Sequence, residues 1–200
     1  ACLTGRDLLE QTAEGSVRFS FPSIQAFCCA RALQSAGDRQ VLTQVTAGLG
    51  RPKHLGWWEE CLILLSGLID MSAREPLLRQ IAYGSPLTEG EHLFLAARCL
   101  QESGLAGSNV KVCHQIVDAL VWRSDSVNEK RTRRRVLAVH ALGELSRPET
   151  VPHLVRIARD RVRLAWNKKQ DFEYGSVRQA AARAVFRLPA YWSDVDDPPF

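Results

Sequence analysis

The stretch Leu137-Ala138-Val139-His140-Ala141-Leu142-Gly143-Glu144 decides the fold, because altered copies of it stand on either side. It aligns with Leu95-Ala96-Ala97-Arg98-Cys99-Leu100-Gln101-Glu102 at an offset of 42, and with Ala180-Ala181-Ala182-Arg183-Ala184-Val185-Phe186-Arg187 at an offset of 43. Arg135 then falls on Arg178 and Leu145 on Leu188. The neighbouring apolar stripes agree as well: Val112, Cys113 and Ile116 fall on Leu154, Val155 and Ala158 at the offset of 42. Chance rarely matches both helices of a pair, and self-similarity at a fixed period is the signature of repeat architecture.

A helix pair cannot bury both of its apolar faces alone, so neighbouring pairs stack and share a continuous core. Alanine at 96, 138 and 181 lets the helices approach closely. Ser146-Arg147-Pro148-Glu149-Thr150 reads as the tight turn within one unit, with Thr150 as N-cap of the helix that begins Val151-Pro152. The expectation is a helical solenoid over residues 89–188, with a period inside the roughly 40–47 residues of HEAT and armadillo units.

Working outward, apolar residues at i, i+3 and i+4 predict helices through Trp58–Ile69, Pro76–Tyr83, Glu89–Ser103 and Asn109–Trp122. Further helices are predicted around 129–146, 150–165 and 176–188. Towards the N-terminus, Arg6–Thr12 reads as a short helix. Val17-Arg18-Phe19-Ser20-Phe21 alternates with period two after the turn Glu14-Gly15-Ser16 and reads as a strand. Pro22 suits the first turn of a helix running to about Ala36.

Hydrophobic content of 46% with 24% charge is that of an ordinary globular protein. No apolar run is long enough to span a bilayer, and no signal-peptide pattern opens the chain. The first residue is Ala rather than Met, which suggests an excised piece or a processed start. Six cysteines, at 2, 28, 29, 61, 99 and 113, form no Cys-x-x-Cys pair and no zinc-like spacing; they read as reduced core thiols of a cytoplasmic protein. The formal charge of +4 is unevenly placed. Lys130–Lys169 holds twelve Lys or Arg against Glu144, Glu149 and Asp160, a net +9 that leaves −5 for the remainder.

Two stretches resemble known families. Arg135, Ala138, Ala141, Leu142, Gly143, then Val151, Pro152 and Leu154, resemble a short bacterial HEAT repeat, with a weaker copy at Val177, Arg178, Ala181 and Ala184. Arg18 to Ala30 resembles the end of the winged-helix region of NACHT-type STAND NTPases, on Phe19, Ser23, Gln25, Phe27 and Ala30. The segment Trp57-Trp58-Glu59 to Gly67-Leu68 resembles the helix that follows in many members. The departures are Phe21, where the family has the histidine that senses nucleotide phosphate, and Ala26, where it has Glu. No phosphate-loop motif occurs in this chain. The resemblance implies the C-terminal part of a larger switch ATPase, whose nucleotide domain lies upstream and is absent here.

The candidate partner-binding residues are Arg131, Arg133, Arg134, Arg135, Arg156, Arg159, Arg161, Arg163, Trp166, Lys168 and Lys169. Cations oppose the dipole at a helix N-terminus, so the 131–135 cluster carries a cost that suggests use, although a solvated face is the preferred reading of the segment. Trp166 among Arg163, Lys168 and Lys169 is the pattern of a stacking platform for bases, although anchoring of a long connection is the preferred reading. The five histidines are dispersed, and spacing suggests no Ser-His-Asp set.

The expected architecture is all-α: a winged-helix edge over 1–36, a helical connector over 37–88, HEAT-like repeats over 89–188 and a tail over 189–200. The expected role is the sensor or regulatory arm of a STAND-type signalling ATPase. It would bind a protein partner and relay to the upstream nucleotide-binding domain, with no catalysis, cofactor, metal site or membrane contact in this chain. The alternatives are a stand-alone HEAT scaffold binding protein or nucleic acid through the basic segment 130–169, and a HEAT-fold lyase-like enzyme.

Overall fold

A computed structural model describes residues 9–11, 13–15, 17–49, 55–84, 91–125, 127–159 and 168–187. The described chain is mostly helical. It opens with a small antiparallel hairpin, in which β1 (Leu9–Gln11) pairs with β2 (Val17–Phe19) in the register Leu9↔Phe19, Glu10↔Arg18, Gln11↔Val17. The helix expected over 6–12 is therefore corrected at 9–11, where the chain is a strand; its other positions lie outside the described residues. Gly15, at φ +81, supplies the left-handed residue that turns the hairpin, a conformation an L side chain pays to adopt. β2 is shorter than the expected 17–21 because Pro22 takes the first position of a helix, and the Ile24 and Gln25 N–H groups donate to the Phe21 carbonyl.

Nine α-helices follow among the described residues: α1 (Pro22–Ser35), α2 (Asp38–Leu49), α3 (Leu55–Leu68), α4 (Met71–Tyr83), α5 (Glu91–Glu102), α6 (Lys111–Ser124), α7 (Thr132–Leu145), α8 (Val151–Arg159) and α9 (Lys168–Phe186). α2 lies in the span expected as connector. α4 starts earlier than expected and carries Pro76 inside it, on an exposed face where only one backbone bond is lost. α9 also starts earlier and runs through Gly175. Thr150 is no N-cap: it sits in a 3₁₀ turn, Pro148–Thr150, and its Oγ1 donates to the Arg147 carbonyl at 2.7 Å.

The helices pack on their next-but-one neighbours. α1, α3, α5, α7 and α9 each pack on the next to form one layer, while α2, α4 and α6 form a second layer. α4 against α5, α6 against α7 and α8 against α9 tie the layers together. One apolar core runs from Ala26 to Val185. Ala96, Ala138 and Ala181 are each fully buried in the first layer, as are Leu100, Leu142 and Val185 four residues on. The turns keep the same register. Gly104 and Ser146, 42 residues apart, both end a helix in the left-handed conformation, at φ +71 and +51.

The first layer is held at the limit of approach. A Cβ on Gly143 would stand 2.6 Å from the Ala184 Cβ across the α7–α9 contact, and one on Gly67 would stand 3.3 Å from Glu102 across α3–α5. Gly→Ala inside an open helix gains about 1 kcal/mol, whereas overpacking a filled contact costs about 1–3 kcal/mol. Gly143→Ala is therefore expected to lower the unfolding free energy by up to about 2 kcal/mol. Adding Ala184→Gly should restore part of it, which urea denaturation of the two single variants and the double variant measures.

Candidate functional site

The basic edge is built on the junction between α6 and α7, and its charges have structural partners that the residue count conceals. Glu129 is the centre. Although buried to 8% exposure, it accepts the Arg131 backbone N–H at 2.8 Å and pairs with Arg123 at 3.3 Å and Arg134 at 4.0 Å. A carboxylate just before a helix N-terminus satisfies an orphan donor and complements the helix dipole. It thus offsets the cost that the arginines of the first turn impose. Glu129 escaped the sequence reading because it stands one residue before the basic segment.

Arg135, proposed from sequence as a surface contact, is buried at 7% exposure, and its Nε donates to the carbonyl of Ser124, the last residue of α6, at 3.4 Å. Arg178, its copy 43 residues on, donates its Nε to the Ala158 carbonyl near the end of α8 at 3.3 Å. Both guanidinium groups thus cover the carbonyl end of the preceding helix, where a cation is favoured. Arg134 is also largely covered. Arg131, Arg133 and Arg159 are exposed. Arg156 is exposed too, and its Nη2 bonds Asp125 Oδ2 at 2.9 Å, which brings α8 to the turn before α7. Lys168 and Lys169 are the first two residues of α9. Arg161, Arg163 and Trp166 lie outside the described residues, as does the side chain of Trp57, while Trp58 is half-buried against the core.

Beneath this edge runs a hydrogen-bonded chain that spacing did not suggest. Arg156 Nη2 lies 3.3 Å from His153 Nδ1, and His153 Nε2 lies 2.6 Å from Ser124 Oγ. The guanidinium can only donate, so Nδ1 accepts and the imidazole proton sits on Nε2. Ser124, fully buried, passes its own proton to the Val121 carbonyl at 2.7 Å. The Ser–His contact has the distance of a nucleophile–base pair and the opposite polarity, since the ring donates to the hydroxyl. Arg156 also occupies the nitrogen that an orienting carboxylate would need. Asp125 binds instead the Val127 N–H and Arg156, which hold its carboxyl below the usual range.

A second surface feature lies between α4 and α6. Arg79 and Tyr83 face Gln115 and Asp118 across an open groove of about 540 Å³. Gln115 Oε1 is buried beside it with no hydrogen-bond partner. Burial and then Asp118 push the Tyr83 hydroxyl upward, against the opposing pull of Arg79. Tyr83 and Trp122 are both about half exposed, at 50% and 53%. The groove does not follow from the repeat register, because it joins residues of different helices, Arg79 and Tyr83 on α4 with Gln115 and Asp118 on α6.

Among the described residues no group of three or more His, Cys, Asp or Glu is arranged to hold a metal ion. No described helix is long and apolar enough to cross a membrane. No protein-family model matches the chain, and neither does any curated protein or solved structure.

Burial first, and Arg156 next, hold the His153 pKa below the ordinary histidine value, against an opposing pull from Asp125. The folded chain therefore keeps this ring neutral at a pH where the unfolded chain has begun to protonate it. Stability is expected to fall as pH is lowered through about 6.5, because the unfolded state binds more protons. His153→Gln should flatten that part of the slope, read from urea midpoints between pH 7.5 and 5. Glu129→Gln should cost about 2 kcal/mol at neutral pH by leaving Arg123 and Arg134 without their carboxylate, as thermal or urea unfolding would record.

Proposed function

We propose that this chain is a helical-repeat interaction arm, a HEAT-like solenoid that binds a protein partner and belongs to a STAND-type signalling ATPase. The observation that carries the reading is the agreement of two periods. The sequence repeats at 42–43 residues, and the fully buried Ala96, Ala138 and Ala181 lie at that spacing on α5, α7 and α9, consecutive members of one layer. A stacked array of this kind presents long, regular surfaces, and such surfaces bind extended partners.

The ATPase part rests on the resemblance at Phe19, Ser23, Gln25, Phe27 and Ala30 and on what surrounds those residues. A hairpin runs directly into α1, and Phe21 and Phe27 stand about half exposed beside it. Large apolar side chains held outward next to a hairpin suit contact with an adjoining domain. In this reading α1 is the joint between the nucleotide domain and the repeats, and a partner on the repeats biases which of two arrangements the joint adopts.

The test is the full reading frame that encodes residue 1. Its product should carry a phosphate-loop segment, bind a nucleoside triphosphate through it, and change its hydrolysis rate when Phe21 and Phe27 are replaced by Ser. A product without a nucleotide site overturns the ATPase reading and leaves the stand-alone scaffold.

The exposed Arg131, Arg133 and Arg159 support a second reading, in which the basic edge binds nucleic acid. It predicts affinity for random duplex that drops steeply with salt. Changing the three arginines to Glu should abolish that affinity while leaving the melting temperature within a few degrees. Affinity that is flat in salt, or unchanged by the three substitutions, removes this reading.

A further inference from the structure

The charge that the groove between α4 and α6 leaves unmatched is negative. Of the four residues lining it, Arg79 is already paired, its Nη2 lying 2.9 Å from Glu75 Oε1 one turn back on α4. Arg123, in the last turn of α6, is likewise engaged with Glu129. Asp118 is exposed, and among the described residues its carboxylate makes no hydrogen bond or ion pair. Tyr83 lines the same groove and is half exposed. Trp122 follows Asp118 by four residues, so it occupies the same face of α6 one turn on, and it is half exposed as well. Tyr83 is also the last residue of α4, where unsatisfied carbonyls give a helix end a partial negative charge. A carboxylate, two exposed aromatic rings and a helix C-terminus all favour the same visitor, a cation.

We propose that this groove receives an arginine side chain from a protein partner, its guanidinium paired with the Asp118 carboxylate and lying against the Tyr83 ring, with Trp122 flanking the carboxylate one turn away. The proposal rests on reading the chain as a protein-binding arm, and it names the chemistry of what the arm binds. Arginine suits the site better than lysine. Its planar fork meets a carboxylate with two parallel hydrogen bonds, and its weaker hydration lets it leave water for an aromatic surface. A groove of about 540 Å³ takes such a side chain together with the stretch of backbone that carries it. The array already places guanidinium groups over helix ends, Arg135 at α6 and Arg178 at α8. At α4 the partner would supply one from outside.

The experiment titrates the full 200-residue chain, isotopically labelled for NMR, with the blocked peptide acetyl-Gly-Ser-Arg-Ser-Gly-amide. Versions with Lys, Gln or Glu in the central place serve for comparison. The arginine peptide should shift the amide signals of Tyr83, Asp118 and Trp122 to saturation. The lysine peptide should bind several-fold more weakly, and the glutamine and glutamate peptides should leave those signals in place. Asp118→Asn, at an exposed position, should weaken arginine binding by about tenfold or more. Arg79→Gln removes a like charge and should strengthen it. Both variants should melt within a few degrees of the parent chain.

Equal binding of the glutamine peptide, shifts that fall outside the groove, or arginine binding indifferent to Asp118→Asn would overturn the proposal. So would a preference for the glutamate peptide that Arg79→Gln abolishes, since the groove would then serve an acidic partner. None of these results bears on whether the full reading frame encodes a nucleotide site, so a failure here and a failure of the ATPase reading are told apart.

Discussion

Every α-helix ends with carbonyl oxygens that no residue of its own helix can satisfy, and a stack of short helices multiplies that problem. The described helices run from 9 to 19 residues, so the stack buries many ends for its length. It answers largely with arginine. Arg74, on α4, donates to the carbonyls of Gly67, Ile69 and Ser103, at the ends of α3 and α5. Arg135 serves the end of α6 and Arg178 the end of α8. A guanidinium offers five donors in a fixed fork and stays charged at any working pH. It therefore covers a helix end while also adding the favourable interaction with the dipole. Serine completes the set from within: Ser66, Ser103, Ser124 and Ser146 each return a hydroxyl proton to a carbonyl three residues back.

This use of arginine changes the meaning of the basic segment. Twelve cations between Lys130 and Lys169 suggest a field directed at solvent. Arg135 and Arg147 are buried, Arg134 leans on Glu129, and Arg156 leans on Asp125. Part of the charge holds the junction together, and among the described residues Arg131, Arg133 and Arg159 are exposed. Glu129 and Asp125, two acids at the mouth of α7, also reduce the local excess.

What could be read from the sequence is what depends on neighbours along the chain. The apolar stripes of α5, α6 and α7 have a 3.6-residue period, and their buried positions fall where that period puts them. The spacing of 42 also anticipates that Gly104 and Ser146 occupy like positions in their turns, although not that a serine would accept the left-handed conformation there. Contacts between distant residues were beyond reach. Ser124 meets His153, 29 positions further along the chain, and Glu129 is recognisable as a counter-ion only once Arg123 and Arg134 surround it. β1 has only three residues, too few to display alternation, and the apolar Leu8-Leu9 pair gives that stretch a helical pattern. Thr150 had the residue type of a cap, but its hydroxyl found the Arg147 carbonyl first.

The glycine–alanine contact between α7 and α9 has a mechanical consequence. Where two helices already touch through their smallest side chains, they cannot be pressed closer. Between α4 and α6 of the second layer lies the open groove lined by Arg79, Tyr83, Gln115 and Asp118. A displacement that presses α7 onto α9 meets the Gly143–Ala184 contact at once, whereas a side chain at the groove has room to move without such a collision.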